Sequence, residues 1–340
     1  MSTAAAAAAV TPERIFQFAW GYAAPFILEA ALRHRVFDVL DNGPMSLAEV
    51  SQATGASERG LSAIMNVLVG LDFLAVDAEG SYSLTPESGA FLVSTRPGFL
   101  GGFIRHTSEH LVPKWLDLNQ IVATGRPVEA VNQQSKGAEF FHKFVNDIFP
   151  MSYPSAQVLA RHLDFDGAEG AVSVLDLAAG SGVWGIALAQ SSSRVRVTAV
   201  DWHGVLPVAR ANAARFGLSD RFTFVEGDLL EADFGSGHEV ATLGHILHSE
   251  GAERSRRILH KTFAALAPGA TVAIAEFLVD PGRKSPVPGL IFAVNMLVNT
   301  ENGNTFTFDE IASWLAETGF VDPRALPAPG PSPLILATKP

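Results

Sequence analysis

The residue pattern with the clearest capacity for chemistry lies just past the middle of the chain. Gly180, Ser181, Gly182, Val183, Trp184 and Gly185 spell G-x-G-x-x-G directly after the apolar run Val172–Leu177, and Asp201 follows at the offset of a ribose-binding acid. Glycines at such a turn let the backbone approach a ligand with no Cβ in the way, and the amides opening the next helix attract an anionic group. That is the arrangement of a dinucleotide site. A second cofactor class stays open, because Asp176 precedes the glycines at the strand end, in the order D-x-A-x-G-x-G with Ala178 third. His106 and His110, at i and i+4 with Glu109 between them, superficially suggest a metal pair, but the order is not H-E-x-x-H and no third ligand is apparent; no metal is expected.

The elements that must position these residues read as alternating strand and helix from Val172 onward, the pattern of a doubly wound parallel sheet. Strands are predicted at Val172 to Leu177, Val195 to Asp201, Phe222 to Glu226, Val240 to Leu247 and Thr271 to Leu278, with helices such as Leu206 to Phe216 and Ala252 to Leu266 between. The ending departs from a plain repeat. A helix at Thr307 to Glu317 leads into Val321 to Leu326, the turn PAPGPSP, and Leu334 to Thr338, two short strands whose tight connection makes them antiparallel.

Upstream, Thr11 to Val39 carries apolar residues at helical spacing interrupted by Pro25, which reads as two helices. From Ser46 the pattern is helix, turn at Gly55, second helix and a short hairpin around Glu79 and Gly80, the layout of a winged helix-turn-helix. Such a module can bind DNA, yet between Asp41 and Thr95 the sole basic residue, Arg59, faces seven acidic ones. A dimerisation module is the expectation. The helix-rich stretch from Pro97 to Phe165 carries many aromatic residues, Trp115, Phe140 and Phe149 among them, suited to a core or to a substrate pocket.

Composition sets further bounds. The chain has 340 residues, 48% hydrophobic and 17% charged, enough for two buried cores. Mean hydropathy is slightly positive, which suggests apolar surface covered in an oligomer or a greasy pocket. The absence of cysteine excludes disulfides, thiolate metal sites and a cysteine nucleophile. A net charge of -11 argues against nucleic-acid and anionic-membrane partners. No apolar run of membrane-spanning length is expected, and MSTAAAAAAV does not resemble a secretory signal, so a cytoplasmic location is the default.

The segment around Asp176 resembles motif I of class I S-adenosylmethionine (SAM) methyltransferases, D/E-x-G-x-G-x-G, and the closing antiparallel hairpin is that fold's ending. From about Ile27 onward the chain resembles the bacterial and plant small-molecule O-methyltransferases with an N-terminal winged-helix dimerisation domain. The resemblance implies a dimerisation domain at 1–105, a helical linker contributing to the substrate pocket at 106–165, and a Rossmann-like α/β SAM domain at 166–340. It implies cofactor contacts at Asp176, Ala178, Gly180, Gly182, Asp201, Trp202, Gly227, Asp228, Leu229, Gly244 and His245. Pocket residues are expected at Trp115, Phe149, Phe292, Asn295, Met296 and Asn299.

By the same resemblance, His248 is the catalytic histidine and Glu276, at the end of the next strand, its carboxylate partner. A base has a physical task here, because a phenol or alcohol loses its proton as it takes a methyl, and imidazole titrates near the working pH. Three departures stand out: Ser249 and Glu250 replace the family's Asp-Trp, Gly244 replaces a plant lysine that meets the cofactor carboxylate, and Thr305 replaces a second catalytic glutamate. The resulting expectation is a homodimeric SAM-dependent O-methyltransferase acting on a small, largely apolar aromatic or polyketide-like acceptor. Its rivals are a SAM-binding relative with hydroxylase, decarboxylase or cyclase chemistry, a nicotinamide-dependent dehydrogenase, and a ligand-sensing regulator.

Overall fold

In the computed structural model, which describes residues 10–131, 141, 144–165, 167, 170–330 and 332–340, the chain forms two units, Met1–Leu111 and Val112–Pro340. Phe140 lies outside the described residues.

In the first unit, helices α1 (Glu13–Ala19), α2 (Ala23–Arg33) and α3 (Val36–Leu40) precede the winged-helix elements. This is one helix more than the pattern suggested. The break falls at Trp20 to Tyr22, while Pro25 sits in the first turn of α2, where its missing N–H costs no helical hydrogen bond. Helix α4 (Leu47–Thr54) starts on a capping box in which the Glu49 carboxylate accepts from Ser46 N at 2.7 Å, and it stops at Gly55, φ +73°. Helix α5 (Glu58–Gly70) and the hairpin β1 (Leu74–Val76) and β2 (Tyr82–Leu84) complete the wing around Leu28, Phe37, Leu61, Met65 and Leu68. Then come α6 (Pro86–Phe91), α7 (Gly101–His106) and a π-helical turn at Thr107–Leu111, where the rings of His106 and His110 stack at 5.2 Å.

Two features of α1 and α2 bear on association. Ile15, Phe16, Phe18, Trp20, Tyr22 and Phe26 stay exposed in the single chain. Contrary to the sequence expectation, Glu13–Arg33 is long and apolar enough to cross a membrane, with 21 residues at hydropathy 1.3, although the helix is interrupted between α1 and α2.

In the second unit, α8 (Val112–Trp115), α9 (Leu118–Thr124) and α10 (Phe149–Leu163) lead into a sheet of seven strands: β3 (Val172–Leu177), β4 (Val195–Asp201), β5 (Phe222–Glu226), β6 (His238–Gly244), β7 (Leu266–Ala275), β8 (Val321–Leu326) and β9 (Leu334–Thr338). Their order is β5-β4-β3-β6-β7-β9-β8, parallel through β7, with β9 antiparallel to both β7 and β8. The pleat divides β3 between two cores. Val172 and Val174 pack with Leu159 and Ile186, while Leu175 and Leu177 pack with Ile258, Leu259 and Trp314. Each such side chain stabilises the fold by roughly 1.5–3 kcal/mol, and double-sided burial explains the unbroken apolar run. The chain winds from β3 outward to β5 and returns to β6, so the switch point that opens a crevice at the strand ends lies between β3 and β6.

Candidate active site

The glycine turn after β3 is held from below and from the side. Ala178, Gly180 and Gly182 all adopt left-handed backbone, at φ +50°, +56° and +75°, and Gly182 caps helix α11 (Val183–Ser191). Gly180 N donates to Asp201 Oδ2 at 2.7 Å, and Trp202 N donates to Asp201 Oδ1 at 2.7 Å, so the acid ending β4 is fixed against the loop. Burial pushes the Asp201 carboxyl up to about 6, against the pull of both amides. A Cβ on Gly185 would lie 2.7 Å from Val197 Cγ1 and 3.0 Å from Asp176 Oδ2; the third glycine lets α11 settle on the sheet.

Asp176 takes a different place from the one expected. It is fully buried, its Oδ2 accepts from Gly185 N at 3.0 Å, and its Oδ1 accepts from Thr242 Oγ1 at 2.7 Å across the β3–β6 pair. Burial raises its carboxyl to about 7 despite those hydrogen bonds, with Asp201 adding to the rise. Through these two hydrogen bonds the buried Asp176 carboxyl ties the loop and α11 to β6.

On the β5 side, Gly227 N donates to Asp201 O at 3.0 Å and Asp228 Oδ1 accepts from Leu230 N at 2.9 Å. Arg254 bridges Asp228 to Glu250. Sequence reasoning missed Arg254, although the i,i+4 spacing to Glu250 was a usable signal. Leu229 is buried in the core, and Trp202 packs edge-on to Phe141 at 5.9 Å.

Beyond β6, Gly244 has no room for a longer side chain, because a Cβ there would stand 1.9 Å from Trp184 Nε1. His245 has φ +62°, a strained backbone for a non-glycine residue, and its Nε2 pairs with Ser332 Oγ at 2.8 Å. Burial lowers its pKa to about 4 against the attraction of Glu276, so the ring is neutral.

His248 and Glu276 meet as expected in the sequence. Helix α13 (Leu247–Ala265) begins with a single turn carrying His248 and kinks at Gly251 (φ +75°, ψ 168°), where a Cβ would come within 2.5 Å of Asn302 O. Glu276, the residue after β7, accepts from His248 N at 3.1 Å on Oε1 and pairs with His248 Nδ1 at 2.8 Å on Oε2. Glu276 is 1% exposed and His248 8%. Burial alone would raise the Glu276 carboxyl, but the charge and hydrogen bonds of His248 outweigh it and hold the group below its ordinary value. An ionised carboxylate only accepts, so Nδ1 carries the proton and the Nε2 lone pair is left free.

Around this pair, Phe292 of helix α14 (Val287–Asn299) meets the His248 ring edge-on at 4.9 Å and stacks on Phe277 at 4.0 Å. Asn295 Oδ1 accepts from Trp115 Nε1 and from Asn299 Nδ2, each at 3.1 Å, and Met296 is buried. The Phe149 ring stacks on Tyr153 at 5.3 Å and on Phe216 at 5.7 Å, against the core that α10 covers. Thr305 is fully buried, and its hydroxyl has no hydrogen-bond partner among the described residues.

Comparisons with known proteins identify the family. Residues 16–94 match the model of an O-methyltransferase dimerisation domain, and residues 117–321 match that of an O-methyltransferase domain. A 3-hydroxy-5-methyl-1-naphthoate 3-O-methyltransferase from Streptomyces sahachiroi is 27% identical, over 92% of this chain and 91% of its own length. The tetracenomycin polyketide synthesis 8-O-methyl transferase TcmO of Streptomyces glaucescens is 25% identical over 97% of both chains. The crystal structure of a protein from Nostoc punctiforme PCC 73102 superimposes with a TM-score of 0.89 at 27% identity, covering 98% of this chain and 100% of its own.

Proposed function

Because the chain belongs to the family of SAM-dependent O-methyltransferases, we propose that it methylates a hydroxyl group of a small aromatic or polyketide-like acceptor, with His248 as the general base held by Glu276. The observation that carries this reading is the buried 2.8 Å pair between His248 Nδ1 and Glu276, with the opposite ring nitrogen free.

The residues present fit the cofactor. Gly180 and Gly182 bring no side chain of their own to the turn, and Asp201 is pinned beside it with acceptor capacity left on both oxygens. These residues, with Trp202, Asp228 and the Gly227 backbone, would hold SAM, which supplies a methyl group on a sulfonium centre. Nε2 of His248 takes the proton of the acceptor hydroxyl, and Glu276 stabilises the positive charge the ring then carries. The Phe277 and Phe292 rings pack edge-on against the imidazole. Holding the reacting atoms in one closed geometry contributes roughly 7–11 kcal/mol, the larger share of the acceleration. Thr305 cannot act as an anionic orienter; among the described residues Glu276 is the carboxylate bonded to the His248 ring.

The exposed apolar residues of α1 and α2 support association of two copies through residues 1–105, with 106–165 shaping the pocket and 166–340 carrying the cofactor. We read the chain as a cytoplasmic homodimer that needs no nucleic-acid or membrane partner for this chemistry. The test is mass spectrometry of reactions with methyl-labelled SAM and a panel of hydroxylated naphthoates and polyketide aromatics. Label on oxygen is the expected outcome; label on carbon or nitrogen, or none while SAM binds, would replace the O-methylation reading.

A further inference from the structure

Helix α13 carries the base in its first turn and grips the loop after β5 further along. Two turns apart on it, the Arg254 guanidinium donates to Asp228 Oδ2, and the Lys261 ammonium donates to Leu229 O at 3.0 Å and to Ala232 O. Arg254 also donates through Nε to Glu250, which stands in the turn 247–250 with His248, ahead of the kink at Gly251. One guanidinium thus joins the acid placed to meet a nucleoside to the turn that holds the base. On the nucleoside side, Leu230 N holds Asp228 Oδ1 at 2.9 Å and Arg254 holds Oδ2, which fixes the carboxylate while each oxygen keeps a lone pair for a ligand donor.

Charge decides what the bridge does on the other side. Only 8% of the Glu250 side chain is exposed, and burial raises its carboxyl above the ordinary value, with Asp228 adding to the rise, even though the charge of Arg254 pulls it down. Without that cation, two carboxylates would stand within the span of one guanidinium, and the buried one would have no counter-charge. Glu250 could then reach water only by shifting its turn, and the same turn seats His248 at 2.8 Å from Glu276. The acid at 250 is one of this chain's own departures, standing in place of a tryptophan, so its neutralisation is a local requirement. We propose that Arg254 is a positioning residue for both sides of the reaction: it fixes the Asp228 carboxylate for the cofactor's nucleoside and, by neutralising Glu250, keeps the His248 turn seated on Glu276. The inference rests on the SAM reading.

Arg254→Gln removes the charge at a side chain that is 34% exposed, where a polar replacement is accommodated. Calorimetry reads the cofactor side: the variant should bind both S-adenosylhomocysteine and adenosine roughly 10-fold more weakly, near the lower end of what a hydrogen bond to a charged group contributes. The base side is read in protein carrying 15N-labelled histidine, by the downfield imidazole N–H resonance that disappears in His248→Gln. That resonance should shift or broaden in Arg254→Gln. Adding Glu250→Gln removes the charge left without a partner, so the double variant should regain the wild-type resonance while its S-adenosylhomocysteine affinity stays weak. A purely structural loss would not be repaired by changing a second polar residue. Unchanged affinity or an unmoved resonance in the single variant, or a double variant that regains neither property or both, would overturn the assignment. A wild-type spectrum without the resonance would overturn the pairing of His248 with Glu276, and wild-type protein that binds neither ligand would overturn the cofactor reading itself.

Discussion

Glu276→Gln is the perturbation that isolates the proposed base. Glutamine keeps the shape but swaps one carboxylate oxygen for an NH2 group, and the wild-type carboxylate receives three N–H groups: His248 N at 3.1 Å, His248 Nδ1 at 2.8 Å and Phe277 N at 3.2 Å. His248 N donates to Oε1 whereas Nδ1 and Phe277 N share Oε2, so an amide oxygen that keeps the Oε1 place for His248 N turns the NH2 toward Nδ1. Nδ1 then becomes the acceptor, the ring proton moves to Nε2, and the nitrogen that should take the substrate proton no longer has a lone pair. The charge that stabilised the protonated ring is lost as well, worth roughly 1.5–3 kcal/mol for a hydrogen bond to an ion. Together these remove most of what base catalysis contributes, so single-turnover methyl transfer to an ordinary phenol should fall ~100-fold. A nitro-substituted phenol, already ionised at the assay pH, has no proton to lose, and its rate should change by less than about threefold. Equal losses for both phenols, with S-adenosylhomocysteine affinity intact, would refute the reasoning and leave Glu276 as a residue that shapes the pocket. The carboxylate also contributes stability, present above the ordinary carboxylate pKa and lost as pH falls through its lowered value in the fold. The melting temperatures of wild type and Glu276→Gln should accordingly converge in acid.

Asp201→Asn should weaken S-adenosylhomocysteine binding by roughly 1.5–3 kcal/mol, and wild-type affinity should decline as pH drops through about 6, where Asp201 takes a proton, with a flat calorimetric profile for the variant. Asp176 has its pKa raised from 3.8 to about 7, so the fold is penalised as the group ionises and stability should decrease as pH rises across that window. Asp176→Asn, whose oxygen can still accept from Gly185 N while its NH2 donates to Thr242, should abolish that decrease in denaturant titrations at a series of pH values. Deleting residues 1–39 should give a monomer or an aggregate by light scattering, whereas a stable dimer would move the interface away from α1 and α2.

The elements carrying the site were legible because their signals are local. Ser46 with Glu49 announces a helix start, the unbroken run of β3 announces a strand buried on both faces, and the tight turn before Leu334 forces an antiparallel pair. His248 and Glu276 were reachable through the family resemblance, and the fold gives the reason they meet: one lies in the helical turn just past β6 and the other directly follows β7, so parallel pairing brings both to the same edge. The break before α2 was placed wrongly because Pro25 was read as an interruption, although the first helical turn is where proline does no harm.

What stayed hidden depends on which way a side chain turns across the sheet. Asp176 and Asp201 end adjacent strands and look equivalent in the sequence, yet Asp176 faces Thr242 and the underside of α11 while Asp201 faces the loop amide. Pleating decides between them, and the pattern of apolar residues cannot register it where both faces are apolar. Gly244 shows the same limit over a longer distance. In the sequence it is a missing lysine sixty positions from Trp184. In the fold the indole occupies the space that the missing side chain would take, so the two positions form one structural unit.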